Sequence, residues 1–184
     1  VRMSDSAKVL YITYLAFTVV EFLLLFLSGK MPLFDSIITT LGSVSTGGLT
    51  AHPEGIAFYD SVYVEIVISA FCILSSVNYV LYHYLATGKG IYLVKDVELR
   101  AFLIIILSAI IICTMGLVLV NGQEPGPALR DAGFEVISMA TTSGYMRSQY
   151  IVWPVVCQIT LIALMFIGGC SSSTSGSVKV IRIL

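Results

Sequence analysis

Long apolar stretches alternate with short polar ones along this chain, and their lengths separate them into two kinds. Val9 to Leu27 is apolar except for Glu21, and at 1.5 Å per residue it reaches roughly 28 Å as a helix, enough to cross the hydrocarbon layer. It is too long for the apolar region of a signal peptide, and Ser28-Gly29-Lys30-Met31-Pro32 lacks a small-x-small cleavage pattern. Ala101 to Val120 carries no charge and predicts a second span. Tyr59 to Leu85 predicts a third, with Asp60 and Glu65 near its start and Asn78, His83 and the interfacial residues Tyr79, Tyr82 and Tyr84 near its end. In the uncharged segment from Ser148 to Val178, only Ile151 to Ile167 is dense enough in large apolar residues to read as helix.

Phe34 to Ser45 and Asp131 to Thr141 are too short to cross, reaching roughly 18 Å as helices. Each ends in a Thr/Ser/Gly cluster, so each predicts a re-entrant half-helix. At an offset of 96 residues Asp35 falls on Asp131, Ser45-Thr46 on Thr141-Thr142, and Gly48 on Gly144. The chain therefore reads as span, half-helix, polar loop and span, written twice in parallel. This predicts an all-α membrane protein of tandem repeats, with a first span-pore-span unit over residues 1–90 and a second, ending in a broken last helix, over 91–184.

Composition agrees. Of 184 residues, 57% are hydrophobic and 11% charged, and the mean hydropathy is +0.95. One soluble core cannot hide that much apolar surface, so lipid is the solvent for much of it. A net charge of -1 without a basic cluster excludes a nucleic-acid surface. Arg2, Lys8, Lys89, Lys95, Arg100, Lys179 and Arg182 fall on one side of the predicted arrangement, against Lys30, Arg130 and Arg147 on the other, which puts both termini and the Ala86 to Arg100 connection inside. The outer face then carries Asp35, Glu54, Asp60, Glu124, Asp131 and Glu135, either an acidic surplus that concentrates cations or a solvated loop surface. Cys72, Cys113, Cys157 and Cys170 form no Cys-x-x-Cys pair and read as buried small hydrophobes rather than a disulfide or metal site. His52 and His83 read as solitary polar groups.

Non-helical backbone at membrane depth must be buried in protein or line water. The loops Val44-Ser45-Thr46-Gly47-Gly48-Leu49-Thr50 and Ala140-Thr141-Thr142-Ser143-Gly144-Tyr145 therefore mark a cavity. The matched Gly48 and Gly144 permit the positive φ that aims successive carbonyls at one axis. Asp35 and Asp131, read as capping the outer starts of the half-helices, leave the negative helix ends facing the loops, an arrangement that suits a cation. Potassium-channel filters use Thr-Val-Gly-Tyr-Gly loops in this way, and Thr142-Ser143-Gly144-Tyr145 has that pattern with serine for valine. Gly168-Gly169-Cys170-Ser171-Ser172-Ser173-Thr174-Ser175-Gly176 contains no phosphate-binding loop. It reads either as a cytoplasmic linker or as an intramembrane break whose small residues can move as a gate.

These loops, with Ser138-Met139-Ala140-Thr141-Thr142 and above all Gly168-Gly169-Cys170-Ser171 through Lys179-Val180-Ile181-Arg182, resemble the Trk/Ktr/HKT potassium transporters, most closely the TrkH branch. The resemblance covers essentially the whole chain and is most specific in its last stretch. It implies four span-loop-span units around one pore, of which this sequence resembles the second and third, so that a fragment of a longer chain is the simplest account. By position it implies that the backbone of Thr46, Gly47, Gly48 and Leu49, with that of Thr142, Ser143, Gly144 and Tyr145, lines a filter for potassium, the substrate ion and only metal expected, with no cofactor. Glycine at both central positions favours potassium, whereas serine there in the HKT branch is associated with sodium permeation. Leu49 departs from the phenylalanine often found at its position. Gly168 to Gly176 matches an intramembrane gating loop. The implied partners are the remaining units, a second copy, a cytoplasmic nucleotide-binding regulatory subunit and membrane lipid, and the implied location is the bacterial inner membrane.

The expected function is thus potassium uptake rather than enzymatic catalysis, with no catalytic residues. Two other classes compete with it: a polytopic transporter of another small solute with discontinuous helices, and a membrane-embedded serine hydrolase using Ser143 with His52 or His83 as base.

Overall fold

The computed structural model describes residues 3–88 and 90–183; the orientation argument's Arg2 and Lys89 lie outside the described residues. Among the described residues eight α-helices follow one another: α1 (Met3–Leu27), α2 (Leu33–Val44), α3 (Val62–Ser76), α4 (Tyr79–Ala86), α5 (Ile91–Lys95), α6 (Val97–Asn121), α7 (Pro125–Ala140) and α8 (Val155–Phe166). Lys8–Leu27 and α6 are each long and apolar enough to cross a membrane. Along α6, Phe102, Ile106, Ala109, Cys113 and Leu117 are buried, while Ile104, Leu107, Ile111, Met115 and Leu119 are exposed. Both stripes are apolar, so the outward one suits lipid rather than water. Asp96 caps α6 by accepting the Leu99 N–H at 2.7 Å, and Gly122, at a φ of 66°, ends it.

The two short half-helices are present, and α2 lies within a residue of its expected bounds. By contrast α7 begins at Pro125, six residues before Asp131. Pro125 and Pro127 are compatible with the first turn, where a missing N–H costs nothing and the fixed φ is already helical. Asp131 consequently sits inside α7 rather than capping it. Asp35 lies in the first turn of α2 but forms no capping hydrogen bond.

Two expected spans are interrupted. Tyr59 to Leu85 is not one helix: α3 and the segment Tyr79–Leu85 are bent by 93° about Val77-Asn78. Asn78 caps the new helix through the Val80 N–H at 3.0 Å, and the carbonyls of Ser75 and Ser76 turn to accept the N–H groups of Thr174 and Cys170 at 3.2 and 2.8 Å. The last helix is shorter than Ile151 to Ile167. Pro154 forces Trp153 into extended backbone, with only a 3-10 turn over Tyr150–Val152 before it. The twelve residues of α8 cover roughly 18 Å, and the chain beyond them is unwound.

One apolar core joins α6, α7 and α8 with Cys170 and Val180. A second gathers Leu25 of α1, Val64, Ile68, Phe71 and Cys72 of α3, and also Phe134 and Tyr145 from the second half of the chain. All four cysteines are buried and free.

Candidate functional site

The loops that follow α2 and α7 have the same backbone, residue for residue. The N–H groups of Gly47 and Gly48 both turn back to the Gly42 carbonyl at 2.7 and 3.2 Å, and those of Ser143 and Gly144 both turn to the Ser138 carbonyl at 2.9 and 3.3 Å. Thr46 and Gly48 have φ of 53° and 64°, and Thr142 and Gly144 have 59° and 74°. The left-handed conformation at alternate residues directs the N–H groups toward the half-helix. No hydrogen bond reaches the carbonyls of Thr46, Gly47, Gly48, Thr142, Ser143 or Gly144 among the described residues. Those of Leu49 and Tyr145 are engaged, by the Tyr145 hydroxyl at 3.4 Å and the Ser138 hydroxyl at 2.8 Å. The left-handed glycines agree with the sequence, whereas nothing in the local pattern predicts left-handed threonines. A β-carbon makes that conformation cost about 1 kcal/mol or more.

The loops lie against each other: a Cβ on Gly48 would overlap the Ser143 carbonyl oxygen. Tyr145, only 1% exposed, crosses from the second loop to the first half-helix, and its hydroxyl donates to the Thr39 carbonyl at 2.8 Å. Gly42 leaves room for it, since a Cβ there would stand 2.5 Å from that hydroxyl oxygen and 2.7 Å from the Leu49 nitrogen.

The segment Gly168 to Gly176 is unwound and packed against both loops. The Thr174 hydroxyl donates to the carbonyls of Val44 and Ser75 at 3.0 and 3.1 Å, its carbonyl accepts from the Thr46 hydroxyl at 3.1 Å, and the Gly176 N–H donates to the Thr142 hydroxyl at 2.7 Å. The buried carboxylate of Glu98 accepts the Ser171 N–H and hydroxyl, each at 2.7 Å, and the Ile181 N–H at 3.2 Å. Lys179 reaches back to the Ser175 carbonyl. A cavity of about 170 Å³ beside the second loop is lined by Met139, Thr142, Gly144, Met165 and Ser177.

Charged groups surround the loops in pairs. Asp35 accepts from the Tyr59 hydroxyl at 2.7 Å and stands 3.1 Å from His52 Nε2, and His52 stacks on Phe58, so His52 is not solitary. Burial and this bond to Asp35 raise the Tyr59 phenol above its ordinary range. Asp131 pairs with Arg147 and accepts from Gln123 at 2.9 Å. Glu65 pairs with Arg130 and Arg147 at 2.8 and 2.7 Å, and Asp60 meets Arg130 at 3.4 Å. Glu135, fully buried, accepts the N–H groups of Arg147 and Ser148 at 2.7 and 2.8 Å. The expected acidic surplus is therefore largely consumed: of its six members only Glu54 and Glu124 are exposed without a partner among the described residues. Glu21, within α1, is buried and accepts the Ser43 hydroxyl at 2.5 Å. Charged residues inside apolar segments signal such partners, but the sequence does not name them.

Among the described residues Ser143 and the two histidines are not brought together. Ser143 Oγ lies 2.9 Å from the Thr141 hydroxyl and donates to Cys72 Sγ at 3.2 Å, while His52 is held by Asp35 and His83 is exposed on α4.

Comparison with known proteins agrees with this architecture. The chain is 35% identical over 185 residues to the Trk system potassium uptake protein TrkH of Salmonella typhimurium, in an alignment covering 100% of this chain and 38% of that protein. It is 33% identical over 184 residues to the Trk system potassium uptake protein TrkG of Escherichia coli K12, again covering 38% of it. The crystal structure of the potassium transporter TrkH from Vibrio parahaemolyticus matches with a TM-score of 0.92 at 31% identity, over 99% of this chain and 40% of that one. The chain thus spans about two fifths of the length of these relatives. The family described as TrkH, cation transport protein, matches residues 1–184, so in sequence and in fold this chain belongs to the TrkH family.

Proposed function

We propose that this chain forms two neighbouring units of a potassium uptake pore in a bacterial inner membrane, over residues 1–90 and 91–184, with both termini of the segment cytoplasmic. The observation that carries the reading is the repeated loop backbone, which leaves the carbonyls of Thr46, Gly47 and Gly48, and of Thr142, Ser143 and Gly144, without partners among the described residues. Carbonyls held this way can replace the hydration shell of a monovalent cation, and the half-helix ends behind them add negative potential. Membership of a cation transport family and similarity to potassium uptake proteins support potassium as the ion. Leu49 and Tyr145 complete the two quartets, mainly as supports.

The segment Gly168 to Gly176 acts as the gate below these loops. Its bonds to Thr46 and Thr142 hold it across the path, and its small side chains let it withdraw at little steric cost. Ions then move down the membrane potential, worth about 2.3 kcal/mol per charge per 100 mV, or roughly fiftyfold in concentration. Further units close the ring, a second copy associates in the membrane, and a cytoplasmic nucleotide-binding subunit regulates the gate.

The test is Gly144→Ser in the full-length protein, produced in a bacterium lacking potassium uptake. Parental protein restores growth at low potassium, and the variant shows a lowered potassium-to-sodium permeability ratio in proteoliposomes. An unchanged ratio rejects the filter assignment. Failure of the parental protein to restore growth rejects potassium as the substrate.

A further inference from the structure

The last residue of the second loop and the two that follow it each bind a different part of the first half of the chain. Tyr145 donates to the Thr39 carbonyl of α2, Met146 accepts the Ile56 N–H at 3.0 Å, and Arg147 donates through Nε to Glu65 of α3 at 2.7 Å. The same guanidinium also pairs with Asp131 on α7. One planar fork therefore joins a carboxylate of the second half to one of the first, while the Arg147 N–H is held by Glu135. The equivalent positions in the first half, Leu49, Thr50 and Ala51, are exposed.

The Arg147 and Glu65 side chains are 15% and 5% exposed, so solvent screens the pair little, and charge-assisted bonds are the stronger kind. Losing Arg147 does not strand the carboxylates: Glu65 keeps Arg130 and Asp131 keeps Gln123. What is lost is the constraint on the backbone three residues beyond Gly144. We infer that Arg147 is a positioning residue for ion selectivity, the fork that fixes the register of the second loop against the first. This rests on the filter reading above.

The experiment compares potassium-to-sodium permeability ratios of the full-length protein in proteoliposomes for Arg147→Gln, Arg147→Lys, Glu65→Gln and Gly144→Ser. Arg147→Gln lowers the ratio roughly tenfold, and Glu65→Gln lowers it in the same direction. Arg147→Lys restores part of it, since an ammonium can serve one carboxylate but not the planar geometry of both. A residue needed only for folding would reduce the yield of monodisperse protein and leave the ratio of the folded fraction unchanged. A parental ratio in folded Arg147→Gln, with Gly144→Ser lowering it, overturns the inference while leaving the filter reading standing. Parental ratios in both overturn the filter reading and this inference with it. If Arg147→Gln does not accumulate folded, Arg147→Lys decides: a reduced ratio supports the fork and a parental one overturns it.

Discussion

Glu135 offers a sharp test of what holds the second loop, because its two carboxylate oxygens have unequal work. Oε1 accepts the Arg147 N–H at 2.7 Å, the Ser148 N–H at 2.8 Å and the Ser148 hydroxyl at 3.3 Å, while Oε2 is buried without a partner among the described residues. Glu135→Leu strands two backbone donors, each at about 1–3 kcal/mol, and recovers part of that by removing the unpartnered oxygen, so a net loss of about 2 kcal/mol is expected. Glu135→Gln keeps an acceptor at the Oε1 position. It gives up the charge assistance but also the cost of burying a charge, and should stay within about 1 kcal/mol of the parent. The assay is denaturation of the purified full-length protein in detergent, read together with its permeability ratio. Leucine should lower both stability and selectivity, and glutamine should leave both near parental values. A leucine variant as stable and selective as the glutamine variant would falsify the view that Glu135 anchors this loop through Oε1.

Four other substitutions follow from the same geometry. Gly48→Ala combines a left-handed φ with overlap on the Ser143 carbonyl, so growth at low potassium should be lost while protein remains in the membrane. Tyr145→Phe should cost about 1 kcal/mol through the lost bond to Thr39. Gly42→Ala should cost more, because the Leu49 nitrogen cannot move aside, and the double variant should lose less than the two singles added, as measured by a denaturation cycle. Thr174→Val removes the bonds to the Val44 and Ser75 carbonyls, so potassium leak in proteoliposomes without any regulatory subunit should rise; a leak equal to the parent's argues against the gate.

Local pattern and tertiary partnership divide what the sequence makes legible from what it does not. Apolar run length separates the spans from α2 and α7, and the Thr-x-Gly repeat marks the loops, because each signal lies within a few residues. The elbow at Val77-Asn78 is different. Ser75-Ser76 is a mild helix breaker, and what fixes the break is the pair of bonds from Cys170 and Thr174, which no local window contains. Likewise Asp131 looks like a cap when only the loop side of α7 is considered, whereas Pro125 places the start of the helix earlier. The outer acids look like a surplus because Arg130 and Arg147 reach them across the fold. Glu21 and Glu65 give the one readable hint, since a carboxylate in an apolar helix requires a partner.

The two loops share a backbone but not their surroundings, and the difference has a direction. Gly48 meets the Ser143 carbonyl where its Cβ would be, whereas none of the described residues lies within 4 Å of the matched point on Gly144. Tyr145 is buried against the first half-helix, whereas Leu49, 96 residues earlier, is 58% exposed. Each loop therefore has one face that receives a neighbour and one that reaches toward a neighbour, and in this pair only one of each is used. Such heterologous contacts close only by continuing around an axis. On the proposed ring, the open side of Gly144 receives the next unit's loop, and Leu49 meets the unit before it. Selectivity would then depend on contacts between successive loops, so a substitution at Gly48 or Arg147 acts on the spacing between two units rather than on either loop alone.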